Sequence, residues 1–227
     1  MSTIATFDLH KVYSETKIPV RALNGISLKI DEAEFTAIVG PSGSGKTTLL
    51  NMLGGLDTPT SGEVHINGTN VTALSSRKLI DFRLHNIGFV FQSFNLIPVL
   101  TARENVEFIL QLQGTGKKER ERRAIELLEA VGLPDKIDNR PGDLSGGQQQ
   151  RIAVARALAS KPRFILADEP TANLDSKSTA ELLDIMEKMN EQYKTTFIFS
   201  THDSRVMERA RRIITIEDGL VARDETH

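Results

Sequence analysis

The sequence predicts an α/β fold: a mainly parallel sheet, with an antiparallel β portion at the N-terminus and an α-helical part inserted in the middle. Three observations lead there. The run EFTAIV at 34–39 ends in the glycine-rich loop GPSGSGKTT at 40–48, and a helical segment follows. Strand, glycine loop and helix in that order are the setting of a phosphate-binding loop, hence of a P-loop NTPase core. Two wholly apolar runs, at 164–167 and 197–199, flank a helix. That is a βαβ unit whose strands are buried on both faces. Finally, the stretch from about 92 to 159 is punctuated by helix starts and stops.

Each element has its own signal. Residues 4–12 and 21–30 are strand candidates around a polar turn. The helix after the glycine loop runs from 46 to about 56, and a strand at 87–91 ends at Gln92. Asn67-Gly68 and Asp218-Gly219 suit two-residue hairpin turns. Thr101 and Glu104 form a capping box that starts a helix toward Leu112. A second helix, 117–131, stops at Gly132 with Pro134 beyond. Its charge run KKERERR reads as a solvated face, with a lipid-headgroup patch as the alternative. A further capping box, Ser178 with Glu181, opens the helix between the last two apolar runs, to about 192. The chain thus reads as one domain, with 1–91 and 160–227 as the β and catalytic core and about 92–159 as the helical insert.

Composition narrows the class. The chain has 227 residues, 39% hydrophobic and 26% charged, enough for one substantial core with an inserted part. A net charge of −2 supplies no basic field, so no nucleic-acid partner is expected. The absence of cysteine excludes disulfides and thiolate metal sites and is compatible with a reducing cytosol. No stretch approaches the roughly 18 apolar residues of a membrane helix, and the N-terminus lacks a signal-peptide layout. A soluble chain is expected, whose membrane role would require a partner.

The loop at 40–48 is suited to a triphosphate. Backbone N–H groups can hold its charges where the chain approaches closely, and Gly40, Gly43 and Gly45 permit that approach, with Pro41, Ser42 and Ser44 completing the loop. The following helix adds unpaired N–H groups and the positive end of its dipole. Lys46 would contact the β and γ phosphates, the Thr47 hydroxyl would coordinate Mg²⁺, and Thr48 would help hold the α phosphate. Asp168 and Glu169 follow a buried strand, at the sheet edge where α/β folds place ligands. Asp168 suits direct or water-mediated contact with Mg²⁺. Glu169 suits positioning and polarising the attacking water. His202, one βα unit later, could hydrogen-bond the γ phosphate or hold Glu169, and the Gln92 amide could reach the metal or the water.

A second glycine-opened helix begins at LSGGQ, 144–148. Ser145 and Gln148 form a capping box, and the helix continues through QQRIAVARALA. Gly146 and Gly147 at its first two positions cost about 0.8–1 kcal/mol each relative to alanine. They make sense if something approaches the backbone there. Bare N–H groups make an anion site, but no lysine or metal ligand stands beside it. An incomplete anion site on a chain with a complete one suggests a phosphate gripped from two sides, as two-fold pairing of identical chains would provide. Whether the halves meet within or between chains stays open.

These motifs, in this order and over nearly the whole chain, resemble the nucleotide-binding subunits of ATP-binding-cassette transporters. The loop 40–48 resembles Walker A, Gln92 the Q-loop, and 144–148 the signature. The run 164–168 with Glu169 resembles the Walker B strand and catalytic glutamate, Asn173-Leu174-Asp175 the D-loop, and His202 the switch histidine. The resemblance implies ATP with Mg²⁺ as ligands. It also implies a head-to-tail homodimer in which Ser145 and Gly147 of one chain face the γ phosphate bound by the other, with Gly146, Gln148 and Asp175 at the same junction. Tyr13 would stack on adenine, its alternative being a hairpin core tyrosine. Residues 89–107, with SGSGKTTLLNMLGGLD and LSGGQQQRIAVARALA, are similar to the ATPases of lipoprotein-releasing and macrolide-export transporters and their cell-division relative. Ala172 stands where that group usually has glycine. NRPGD before the signature lacks the pattern of fused exporters.

The resemblance further implies a separately encoded transmembrane permease and a place on the cytoplasmic face of the inner membrane. Phe94, Leu96, Ile97 and Pro98 would either form a groove for a helix of that partner or pack the insert's own core. The alternatives are an ATPase that regulates cell-wall remodelling without transport, and a soluble cassette acting on DNA or ribosomes. A single cassette without a long coiled coil speaks against the last.

Overall fold

The computed structural model describes residues 2–14 and 19–227. The polar turn expected between the first two strands falls on 15–18, outside the described residues.

The strands β1 (Ser2–Tyr13) and β2 (Val20–Asp31) pair antiparallel as the sequence predicts. With β4 (Ser61–Ile66) and β5 (Thr69–Asn70) they form a sheet ordered β2-β1-β4-β5. The turn between β4 and β5 is Asn67-Gly68, both left-handed at φ 48° and 77°, which a two-residue hairpin requires. The larger sheet contains β3 (Phe35–Val39), β6 (Ile87–Val90), β7 (Phe164–Asp168), β8 (Thr196–Ser200), β9 (Arg212–Glu217) and β10 (Leu220–Thr226). Its order is β10-β9-β3-β8-β7-β6, parallel throughout except for the β9–β10 hairpin, which turns at Asp218-Gly219. The expected βαβ unit is β7, a helix and β8, and its two strands are neighbours.

The apolar runs are continuous because both faces of this sheet are covered. Phe164, Leu166, Ile198 and Ile38 face the antiparallel sheet and α1 (Lys46–Leu53), packing with Ile4, Leu23, Leu49 and Leu53. Ile165, Ala167, Phe197, Phe199 and Phe35 face the other way, against α3 (Ala102–Leu112), α4 (Lys117–Ala130), α5 (Gly146–Ala159) and α6 (Ser176–Tyr193). There the Phe35 ring lies 4.6 Å from Phe199 and 5.8 Å from Phe197, centroid to centroid. Fully burying side chains of this size contributes about 1.5–3 kcal/mol each.

Four details depart from the sequence reading. The first helix ends at Leu53, short of 56, because Gly54 caps it and Gly55 turns left-handed at φ 59°. A helix to which the reading gave no element, α2 (Ser76–Asn86), fully buries none of its residues and packs only the half-buried Leu79 and Phe82 on the core, so its apolar stripe is short. The helix after β7 starts at Ser176, not at a Ser178–Glu181 box. Asp175 caps it, accepting hydrogen bonds from the Ser178 N–H at 2.9 Å and hydroxyl at 2.8 Å, and Glu181 pairs with Arg151 instead. On α4 most of the charge run is solvated, but Arg123 is buried over the Tyr193 ring, 5.0 Å from its centroid, and bonds Glu126. The short helix α7 (Ser204–Arg209) follows β8.

Candidate functional site

Strand order places the singled-out residues along one sheet edge. The loop 40–48 leaves the C-terminal end of β3, His202 follows β8, Asp168 and Glu169 end β7, and Gln92 lies two residues beyond β6. Since β3, β8, β7 and β6 are parallel neighbours, all four segments emerge on the same side, where parallel sheets bind ligands.

The glycine loop carries the marks of a phosphate cradle. Gly45 at the N-cap of α1 has φ 105° and makes no side-chain cap, so the first-turn N–H groups stay open. The open side of Gly43, at φ 79°, meets nothing within 4 Å, and the buried Ser44 hydroxyl has no partner among the described residues. These groups fit an oxyanion. Gly40 and Gly45 have a different reason from the ligand approach expected of them. A Cβ on Gly40 would lie 2.1 Å from the Ile216 carbonyl oxygen, and one on Gly45 would lie 2.4 Å from that of Ala22. The loop is wedged between β9 and β2, and both glycines are required by the protein's own backbone. The Gly219 N–H, donating to the Ser44 carbonyl at 3.0 Å, ties the β9–β10 turn to the loop as well. Lys46 crosses the loop, donating to the carbonyls of Gly40 at 2.9 Å and Pro41 at 3.0 Å.

Next to it, the Thr47 hydroxyl donates to Asp168 Oδ1 at 3.3 Å. Burial raises the Asp168 carboxyl above the usual range, against the lowering effect of Thr47. A desolvated carboxylate beside a hydroxyl is a hard-oxygen pair suited to a divalent cation, whose charge would offset that burial. Glu169 is left-handed at φ 46°, uncommon for a non-glycine residue and sustained only where surroundings over-determine it. Its N–H donates to the Ser200 carbonyl at 2.8 Å. Its Oε1 lies 2.8 Å from His202 Nδ1, and its Oε2 accepts from the Thr201 hydroxyl at 3.4 Å. The arrangement presents a carboxylate and an imidazole together, able to orient a water molecule.

Other residues fall elsewhere. Gln92 is exposed, and its carbonyl accepts from the Asn173 amide at 3.0 Å. Tyr13 is half-buried, its hydroxyl donating to Asp57 Oδ2 at 2.9 Å, with Lys11 4.8 Å from the ring centroid. Burial, together with Asp57, raises the Tyr13 hydroxyl, and Thr48 beside it acts the other way, which puts the ring near the end of the cradle. Ser145 and Gln148 form the expected capping box. Gly146 and Gly147 lie against Phe94, Asn173, Leu174 and Ser178 rather than the loop 40–48. A Cβ on Gly147 would come within 3.0 Å of the Ser178 hydroxyl, so α5 packs closely on α6 at this glycine. Asp175 engages both carboxylate oxygens with Ser178.

Sequence reasoning missed Gln150, Thr171 and Asp203. Gln150 is fully buried and donates to the carbonyls of Phe91 at 3.2 Å and Pro170 at 2.8 Å, bracing the segments on either side of it. Asp203 accepts from Arg205 and Thr171, and Arg205 chiefly holds its carboxyl down to about 2. A polar residue inside an otherwise apolar helix face was the available signal for Gln150.

A family model described as "ABC transporter" matches residues 23–172. The chain belongs to the ABC transporter family. As an ABC cassette it binds and hydrolyses ATP. It is 50% identical over 214 residues to an "uncharacterized ABC transporter ATP-binding protein" of Thermotoga maritima, covering 94% of this chain and 91% of that one. It is 48% identical over 219 residues to the macrolide export ATP-binding/permease protein MacB of Brucella abortus, covering 96% of this chain but spanning only 34% of that longer protein. The ATP-binding cassette MJ0796, an uncharacterized ABC transporter ATP-binding protein of Methanocaldococcus jannaschii, has been solved as a dimer in a post-hydrolysis state bound to ADP and Pi. That structure superposes with a TM-score of 0.90 at 44% identity, over 98% of both chains. Among the described residues no helix of this ABC cassette is long and apolar enough to cross a membrane.

Proposed function

We propose that this ABC ATPase works as a homodimer that closes on ATP and drives a separate membrane-spanning partner, in the manner of lipoprotein-release or macrolide-export systems. The observation that carries the reading is the shared sheet edge holding the open cradle, the Thr47–Asp168 pair and the Glu169–His202 pair. Gly40 to Thr48 hold the phosphates, with Lys46 exchanging loop carbonyls for phosphate oxygens. Thr47 and Asp168, with Gln92, would hold Mg²⁺, which neutralises charge on the phosphates being separated. Glu169 orients the attacking water, and His202 keeps that carboxylate in place and reaches the γ phosphate. Within one chain the signature turn faces α6 and the segment 173–175, so Ser145 and its neighbours reach a γ phosphate only across a two-fold pairing. MJ0796 has been solved as a dimer, which supports a paired form. Asp175, engaged as a helix cap, holds the junction from behind.

Tyr13 stacks on adenine at the end of the cradle, held by Asp57. Tyr13→Ala is expected to weaken ATP binding about tenfold while leaving inorganic triphosphate within about twofold, measured by titration calorimetry. Equal weakening of both ligands would remove the stacking role.

Residues about 92–159 act as the unit that transmits closure. A cavity of about 340 Å³ beside Gln92 is lined by Phe89, Ile97, Phe108, Ile109 and Arg156, among others. Arg156 donates to the carbonyls of Phe94 and Asn95 and has no carboxylate partner among the described residues. This groove suits an amphipathic helix of the partner at the cytoplasmic face of the inner membrane. MacB carries ATP-binding and permease parts in one name, and this chain covers a third of it. Affinity purification from detergent-solubilised membranes should recover a membrane-spanning protein. Phe108→Asp should cut that recovery at least about tenfold. Full recovery with the variant would rule out the groove.

A further inference from the structure

The segments 168–171 and 200–203 leave neighbouring strands and touch on two sides. On the outer side, Glu169 meets His202, whose side chain is 75% exposed. The Glu169 side chain is largely buried, but an imidazole so open to water is held only weakly by this pair. On the inner side, the Thr171 hydroxyl donates to Asp203 Oδ2 at 2.9 Å, and Thr171 is only 1% exposed. Asp203 is itself fixed, since Arg205 Nε and Nη2 bond its two oxygens at 2.7–3.2 Å. The Asp203 N–H donates to Thr201 Oγ1 at 3.0 Å, the same hydroxyl that donates to Glu169 Oε2. Glu169 is therefore joined to Asp203 through Thr201, and to it again through Pro170 and Thr171.

We infer that Thr171 and Asp203 form a largely buried latch that sets Glu169 and His202 in register, making Thr171 and Asp203 positioning residues for hydrolysis. The inference rests on the reading of Glu169 as the group that orients water. A latch of this kind explains how a left-handed glutamate is held beside an exposed imidazole. Its effect falls on the hydrolytic step and leaves nucleotide binding alone, because neither residue belongs to the loop 40–48. A shift of about 1 Å in a reacting group can cost on the order of 100-fold in rate.

Thr171→Val preserves shape and removes the donor. Steady-state ATPase assays on the whole chain, run well below the melting temperature, should show kcat reduced about 10- to 100-fold with KM for ATP within about twofold. Thr171→Ser should restore kcat, and Asp203→Asn should reproduce the loss. In a Glu169→Gln background Thr171→Val should add almost nothing, because the residues act as a unit. If Glu169→Gln abolishes turnover but Thr171→Val and Asp203→Asn keep wild-type kcat, the latch is refuted and the role of Glu169 stands. If kcat and ATP affinity fall together and serine does not rescue, the contact supports only the fold and the latch is again refuted. Undiminished turnover in Glu169→Gln would instead overturn the underlying reading.

Discussion

Glu169→Gln is expected to lower kcat for ATP hydrolysis by about 10²–10⁴-fold while ATP affinity stays within about threefold. Glutamine keeps the length of the side chain and can still accept from Thr201, so the sheet edge keeps its geometry. The negative charge that polarises water is lost, and the contact with His202 changes character. Binding is spared because Glu169, just past the end of β7, lies outside the loop 40–48 that carries Lys46 and leads into the open N-terminus of α1. With binding intact and hydrolysis blocked, the ATP-bound pair should accumulate. On a sizing column with ATP the variant should elute as a dimer, and with ADP as a monomer. A variant that hydrolyses ATP at the wild-type rate and stays monomeric would displace Glu169 from the mechanism.

Lys46→Ala is expected to raise the dissociation constant for ATP at least about 100-fold, equivalent to about 2.7 kcal/mol. The lysine contributes twice. It brings a full positive charge to the mouth of a cradle built otherwise from neutral N–H groups, and its bonds to Gly40 and Pro41 close the loop on itself. The second contribution makes this more than the deletion of one ligand contact, since alanine leaves two loop carbonyls without their donor. Lys46→Arg separates the two, because it keeps the charge but replaces a compact ammonium by a planar fork that the narrow loop does not match. Titration with a fluorescent ATP analogue reads both variants. Unchanged affinity in Lys46→Ala would cancel the assignment of the cradle.

What was legible in the sequence was whatever neighbouring residues decide among themselves. The boxes at Thr101–Glu104 and Ser145–Gln148 are satisfied across three residues, and both form as read. Asn67-Gly68 dictates its hairpin because few pairs tolerate two left-handed residues in succession. Local signals also misled where two of them competed. Asp175 and Ser178 are both good caps, and the helix starts from the earlier one because Ser178 is then free to bond Asp175 and pack under Gly147. The helix at 76–86 escaped notice because it packs only Leu79 and Phe82 on the core, too few apolar positions to show a period.

By itself, the sequence determined the α/β class, the cradle, the acidic pair after β7 and the capped signature turn, since each depends on residues within a few positions of one another. Tertiary structure alone decided the order β10-β9-β3-β8-β7-β6, which is what brings segments from four separated strands to one edge. It also decided that Gly40 and Gly45 admit no side chain, because the backbones of Ile216 and Ala22 lie against them. The contact of Thr171 with Asp203 has the same origin. Such contacts join residues far apart in the chain, and their geometry exists only once the sheet has brought the strands together.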